Sequence, residues 1–157
     1  MIWDGLTLVT ELTDHTLRAP NDDDEWRVYH AIRRKVLFEN RGHFGVYDEN
    51  YPDEFETVNY PLILIHKGEP IGVIRIDVDG GVAWFRRVAV REELQRAGHG
   101  RTLLDLAEGF ARGEGCSEVR SSNVAADAVG FYERCGYLRD SSKAATSEVV
   151  PMQKRLA

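Results

Sequence analysis

Cysteine is scarce in this sequence: Cys116 and Cys135 are the only two in 157 residues. Two cysteines cannot build a disulfide framework, and neither sits in a CxxC or Cys/His spacing that would hold a metal. The five histidines, His15, His30, His43, His66 and His99, are scattered along the chain, so no structural metal is expected. Long apolar runs are missing as well. No stretch nears the roughly 18 residues a membrane-spanning helix requires. The first ten residues carry no basic segment and no apolar core, so no secretory leader is expected and the reading is cytoplasmic. Net positive charge is also lacking. With 26 acids against 20 Lys and Arg the formal charge is -6. A surface of that sign does not draw in polyanions, which argues against nucleic acid as a partner.

What is present is an ordinary globular balance, 43% hydrophobic and 29% charged. The length suits one core, and no repeat or low-complexity linker divides the chain, so a single domain over 1–157 is expected. Loose alternation over Leu6 to Leu12 reads as a first strand. The acids of Asn21 to Glu25 suit a helix start. The helix predicted from them runs to about Phe38, with Val28, Ile32 and Val36 on one face beside Tyr29. Asn40 to Asn59 lacks periodicity and reads as a long loop with one short helix at most, of the kind that is often functional.

Three strands follow, over Pro61 to His66, Ile71 to Val78 and Val82 to Val90. The turns Lys67-Gly68-Glu69-Pro70 and Asp79-Gly80-Gly81 are short enough to make them antiparallel neighbours. The period then changes. Leu103, Leu104, Ala107, Phe110 and Ala111 form a helical stripe, which Gly113 and Gly115 close. Ser117 to Ser122 reads as a short strand. Asn123 is placed to cap a second helix with Val124, Ala128, Phe131 and Cys135 inward and Gly136 just beyond its end. Ser147 to Leu156 reads as a last strand, with Pro151 at an edge or bulge. This order gives an α/β domain with a mixed sheet.

The segment richest in chemistry is Val88-Ala89-Val90 followed by Gln95-Arg96-Ala97-Gly98-His99-Gly100-Arg101. A strand ends, a turn follows, and a Gly-rich loop opens a helix. The first N–H groups of such a helix have no internal partner and lie at its positive dipole end, an anion site suited to a pyrophosphate. Arg96 and Arg101 add charge, as does His99 when protonated. The simpler reading, in which Gly98 and Gly100 only shape a tight turn, stands beside this one. The loop is no P-loop, and Leu103 replaces the third glycine of a dinucleotide fingerprint.

Taken together, Phe85 to Leu104 (FRRVAVREELQRAGHGRTLL) resembles motif A of the GNAT N-acetyltransferases, with Gln95, Gly98 and Gly100 matching Q/R-x-x-G-x-G/A. Asn123 to Leu138 (NVAADAVGFYERCGYL) resembles their motif B. Ala31 to Phe38 is similar to the family's first helix and Pro151 to Leu156 to its last strand. The resemblance implies a mostly antiparallel sheet of about six or seven strands, flanked by helices and splayed where acetyl-CoA binds. It implies direct transfer of an acetyl group to an amine acceptor, a cationic small molecule or a peptide amine, without an acyl-enzyme. It assigns Val88 and Val90 to main-chain bonds with the cofactor arm, across Ala89. Gln95, Arg96, Ala97, Gly98, His99, Gly100 and Arg101 would cradle the pyrophosphate, with Thr102 beside them. The N–H near Val88 would meet the developing oxyanion, and Tyr132 would be the general acid.

Alternatives stay open at this level. Tyr132 also reads as a core tyrosine, and Asn123 as a cap or as a cofactor contact. The strand Val82 to Val88 holds no carboxylate or His where many members carry the base. That leaves a water chain, an acid of Asp48 to Glu56, His66, or an amine arriving neutral. The acids of that loop, among Tyr47, Tyr51 and Phe55, would hold a cationic acceptor or simply be solvated. A coenzyme A-binding sensor of the same fold is the alternative function, and a homodimer through an edge strand is left open.

Overall fold

The computed structural model describes residues 10–12, 14–50, 56 and 58–157. Its centre is one eight-stranded sheet in the order β1-β2-β3-β4-β5-β6-β8-β7. The strands are β1 Thr10–Leu12, β2 His15–Arg18, β3 Asn59–His66, β4 Glu69–Asp79, β5 Val82–Val90, β6 Glu118–Ala125, β7 Leu138–Arg139 and β8 Val149–Arg155. Neighbours run antiparallel except β5 and β6, which are parallel. The expected sheet of six or seven strands gains two very short edge pieces: β1, which turns back on β2 with Leu12 opposite His15, and β7, which pairs with β8. Of the strand expected over Leu6 to Leu12, residues 6–9 lie outside the described residues, and β2 carries no periodicity that marks it in the sequence.

The apolar run in β3 explains the layering. Leu62 and Leu64 point to one side and Ile63 and Ile65 to the other, all buried, as in a strand covered on both faces. On one side, helix α1 (Asp23–Ile32) lays Tyr29 and Ile32 against Ile63, Ile65, Val73 and Ala89. On the other, helix α2 (His99–Gly113) packs Leu103, Leu104, Ala107, Phe110 and Ala111 into a larger core. Those five are the stripe expected from the sequence. The short helix α3 (Val129–Arg134) joins that core through Val129 and Tyr132.

Two corrections concern helix ends. The first α-helix stops at Ile32, and the chain continues to Phe38 as a π-helical turn, Arg33–Phe38. The wider turn carries Arg33 into the interior, where it bonds the Tyr29 hydroxyl and lies over its ring. The second correction is Asn123. It does not cap α3 but lies exposed in β6, which runs on to Ala125 because Val124 and Ala125 pair with Val150 and Val149. Two residues of β6, Ser122 and Asn123, face Pro151 alone at the break in that register. Pro151 has no N–H to offer the ladder, and a bulge is where such a residue is tolerated.

Candidate functional site

β5 is irregular where its neighbour departs. Ala83 and Phe85 face the larger core, and simple alternation would send Arg87 after them. Instead Arg87 is exposed with φ +56°, and the β4–β5 register slips between Val73 and Arg75. The extra residue inverts the phase. Val88 and Val90 now pack toward the larger core and Ala89 toward the α1 side. Parallel pairing of β5 with β6 covers only Val82–Trp84 against Glu118–Arg120. Beyond that the strands part, with the Ser121 hydroxyl donating to the Phe85 carbonyl at 3.1 Å near the fork. The main chain of Val88 to Val90 therefore borders an opening.

β5 then leads to the Gly-rich loop. A 3₁₀ turn, Glu92–Leu94, is closed by the Gln95 side chain, which donates to the Val90 carbonyl at 3.0 Å. Arg96 and Gly98 both adopt positive φ, +65° and +90°, and α2 starts at His99. The first bond across that start runs from the Thr102 N–H to the Gly98 carbonyl at 3.1 Å, and no side chain caps the helix. Among the described residues, the N–H groups of His99, Gly100 and Arg101 have no main-chain partner. These donors, at the positive end of a 15-residue helix, make a main-chain arrangement whose chemistry suits an anion.

The side chains of the loop divide differently from expectation. Arg101 donates to the Arg134 carbonyl at 2.7 Å, at the end of α3. The Thr102 hydroxyl donates to the Gly98 carbonyl at 3.1 Å. His99 turns inward to His15, and burial, then the neighbouring His15 and His66, hold its pKa below the usual imidazole range. The His99 ring therefore faces into the protein, and its surroundings disfavour the charge expected of it when protonated. Arg96 is exposed and forms no hydrogen bond within the described residues, so it is the side-chain cation the loop leaves available. The glycines also have distinct reasons. Gly98 supplies the left-handed turn into open space. Gly100 is needed because a Cβ there would stand 3.0 Å from the Phe131 ring. A cleft of about 640 Å³ lies beside the end of β5, between Val28, Ile32 and Val36 on one wall and Arg91, Glu92 and Glu93 on the other.

Tyr132 sits on α3, 7% exposed, between the rings of Phe131 and Tyr137. Its hydroxyl makes no hydrogen bond to another described residue. Burial, with the nearby Cys135, pushes its pKa well above that of an ordinary phenol. Tyr132 therefore stays protonated through the neutral range and can donate a proton but not accept one. Tyr137 differs: its hydroxyl donates to Glu108 at 2.8 Å, and Lys154 holds the other oxygen at 2.9 Å.

Sequence reasoning missed other groupings. His30 on α1 is hydrogen-bonded to the Tyr47 hydroxyl at 2.5 Å. Asp77 accepts from Arg75 at 2.7 Å and from Arg86 at 2.8 Å on the α1 side of the sheet. The scattered histidines His15, His66 and His99 come together in space. His66, considered above as a base, belongs to that group. Of the acidic segment, Asp48, Glu49 and Glu56 are exposed, Glu49 meets Arg34 at 3.4 Å, and residues 51–55 lie outside the described residues. No helix is long and apolar enough to cross a membrane among the described residues.

Residues 19–137 match the family model described as the acetyltransferase (GNAT) family. The chain is similar to a putative N-acetyltransferase from Lactobacillus plantarum, at 25% identity and TM-score 0.74, over 91% of this chain and 99% of that one. It shares its fold with a spermidine N-acetyltransferase from Vibrio cholerae solved with CoA and spermine (19% identity, TM-score 0.70, 92% and 96% covered). The PaiA N-acetyltransferase from Thermoplasma acidophilum, solved with coenzyme A, is similar again (18% identity, TM-score 0.69, 90% and 99% covered). A strand fork beside an uncapped helix start, in a chain matched over most of its length, makes this protein an acyltransferase belonging to the GNAT acetyltransferase family.

Proposed function

We propose that this chain moves the acetyl group of acetyl-CoA directly onto a cationic amine, with Tyr132 as the proton donor. The observation that carries the reading is the uncapped start of α2 lying just past the fork between β5 and β6. Acetyl-CoA, the family's cosubstrate, supplies an acyl group activated as a thioester. The rest is work for the chain. The N–H groups of His99, Gly100 and Arg101 bind the pyrophosphate, and Gly98 and Arg96 shape and charge the approach. The main chain of Val88 to Val90, no longer paired with β6, binds the amide-bearing arm. An N–H near Val88 polarises the carbonyl oxygen. Tyr132 holds a proton for the departing sulfur, and burial keeps it there.

No carboxylate or imidazole stands on β5, so deprotonation falls to water and to the exposed acids after α1. Those acids, Asp48, Glu49 and Glu56 beside Tyr47, favour a positively charged acceptor. The solved relative that holds spermine shares this fold. Thiol release from acetyl-CoA, measured against a panel of polyamines, amino sugars and lysine peptides, tests the activity. Turnover with none of them, at saturating cofactor, removes the transferase reading in favour of a coenzyme A sensor. For an active amine, Asp48→Asn with Glu56→Gln is expected to raise the acceptor KM and hold kcat. An unchanged KM sinks the cationic acceptor.

A further inference from the structure

Three of the five histidines form a cluster behind the start of α2. The β2–β3 register sets His15 opposite His66, and their rings stack with centroids 4.0 Å apart and planes at 18°. His99, the first residue of α2, completes the group. Its Nδ1 lies 2.8 Å from His15 Nε2, and its ring centroid is 4.9 Å from that of His66. One ring nitrogen from each residue falls within 4.8 Å of the other two. His66 Nδ1 is buried and has no hydrogen-bond partner within the described residues.

Three imidazoles without a carboxylate among them are an unusual core motif. Each neutral imidazole has a lone pair on one ring nitrogen, and three such rings here bring a nitrogen apiece into one small space. Neutral imidazole is the preferred ligand of late first-row divalent ions, whereas Mg²⁺ and Ca²⁺ take oxygen. Zinc bonds imidazole nitrogen at about 2.0–2.1 Å, which in a tetrahedron sets the nitrogens roughly 3.3 Å apart. The cluster's spacings of 2.8 Å and at most 4.8 Å bracket that figure. The lone pairs of the stacked His15 and His66 rings lie in near-parallel planes, so loading requires the rings to turn about χ2 until their nitrogens converge.

We propose that His15, His66 and His99 form a binding site for a divalent cation of the zinc class, with water as the fourth ligand. Such an ion fastens the first residue of α2 to β2 and β3. Because the anion-binding N–H groups begin at His99, the ion and acetyl-CoA strengthen each other's binding by the same factor. That coupling rests on the acetyl-CoA reading above; the metal site itself does not.

The test uses the full chain, stripped with a chelator and titrated with Zn²⁺ against a chromophoric competitor. One equivalent is expected to bind. His66→Gln and His15→Gln are each expected to weaken it by at least about a hundredfold, more than the loss of an outer hydrogen bond to a ligand does. His43→Gln, on an exposed loop, should change nothing. Binding that survives His66→Gln and His15→Gln, or no stoichiometric binding to the native chain, overturns the site. A second measurement does not depend on the variants folding. Co²⁺ bound to the native chain should show the intense visible bands of a tetrahedral complex without thiolate charge transfer. Weak octahedral bands, or a thiolate band from Cys116 or Cys135, also overturn it. Failure of acetyl-CoA to bind would remove the transferase reading and leave the zinc titration as it stands.

Discussion

The two long helices begin in opposite ways. At α1 the Asp22 carboxylate accepts the Glu25 N–H at 2.8 Å, and Glu25 reaches back to the Asn21 N–H at 2.7 Å, a reciprocal cap. Three acids occupy its first turn, and Arg18 grips Glu25 with both nitrogens at 2.7 and 2.8 Å. α2 has a left-handed glycine, no capping side chain and no acid in its first turn. The chain satisfies one helix start with its own side chains and leaves the other uncapped, the arrangement on which the proposed cofactor site rests. Two neighbouring tyrosines repeat the contrast. Tyr137 is bonded to Glu108, while Tyr132 has no such partner among the described residues. Groups the fold leaves unanswered, more than residue type, are what single out the proposed site.

The contrast breaks most visibly at Tyr132. Tyr132→Phe is expected to lower kcat by on the order of 10²–10⁴ while the melting temperature holds, because no protein bond is lost. A fall in stability with full turnover would return Tyr132 to the core. Tyr137→Phe should do the reverse. It leaves the Glu108 carboxylate short of a donor in a buried place, costing about 1–3 kcal/mol in urea unfolding with turnover retained. Gly98→Asp carries the α1 solution to α2. It places a negative charge where an anion should bind, so the acetyl-CoA Kd should rise roughly tenfold or more, while the left-handed φ of +90° at that position costs the unliganded protein about 1–2 kcal/mol. An unchanged Kd, read by titration calorimetry, would place the pyrophosphate elsewhere. Asp22→Ala should cost about 1 kcal/mol and leave that Kd alone.

The smallest effect is alkaline. Both tyrosines have folded pKa values raised by burial, with Glu108 adding to the effect at Tyr137. Their contribution to stability is full below the unfolded phenol pKa of about 10 and is lost as pH rises above it, because the unfolded chain then sheds protons the folded chain keeps. Melting temperature should therefore decline above that pH. The decline should be shallower in Tyr132→Phe, and an identical slope would show that the phenol is not held neutral.

Much of this was legible where the signal is local. The α2 stripe, the β3–β4–β5 hairpins and the Gly98 turn follow from period, turn residues and backbone preference. The uncapped main-chain start of α2 was legible too, but the partners of the loop's side chains were not. Gln95, Arg101 and Thr102 turn to carbonyls of the protein itself, and no spacing rule announces that. Asn123 looked like a cap because the extension of β6 depends on β8, which arrives later in the chain. The histidine cluster left no trace at all: His15 and His99 are 84 residues apart, and only the sheet order brings them together.

The bulge at Arg87 also has a meaning in genetic terms. A single surplus residue lets β5 change faces partway along its length, so that the strand serves one layer before the fork and the opposite register after it. Removing that one codon would leave the alternation unbroken, with Val88 and Val90 still toward α2 and Ala89 still toward α1, because the residue lost is the surplus one. Losing the next triplet instead, that of Val88, would turn Ala89 toward α2 and Val90 toward α1, so the same in-frame deletion passes from a light lesion to a heavy one within a single codon.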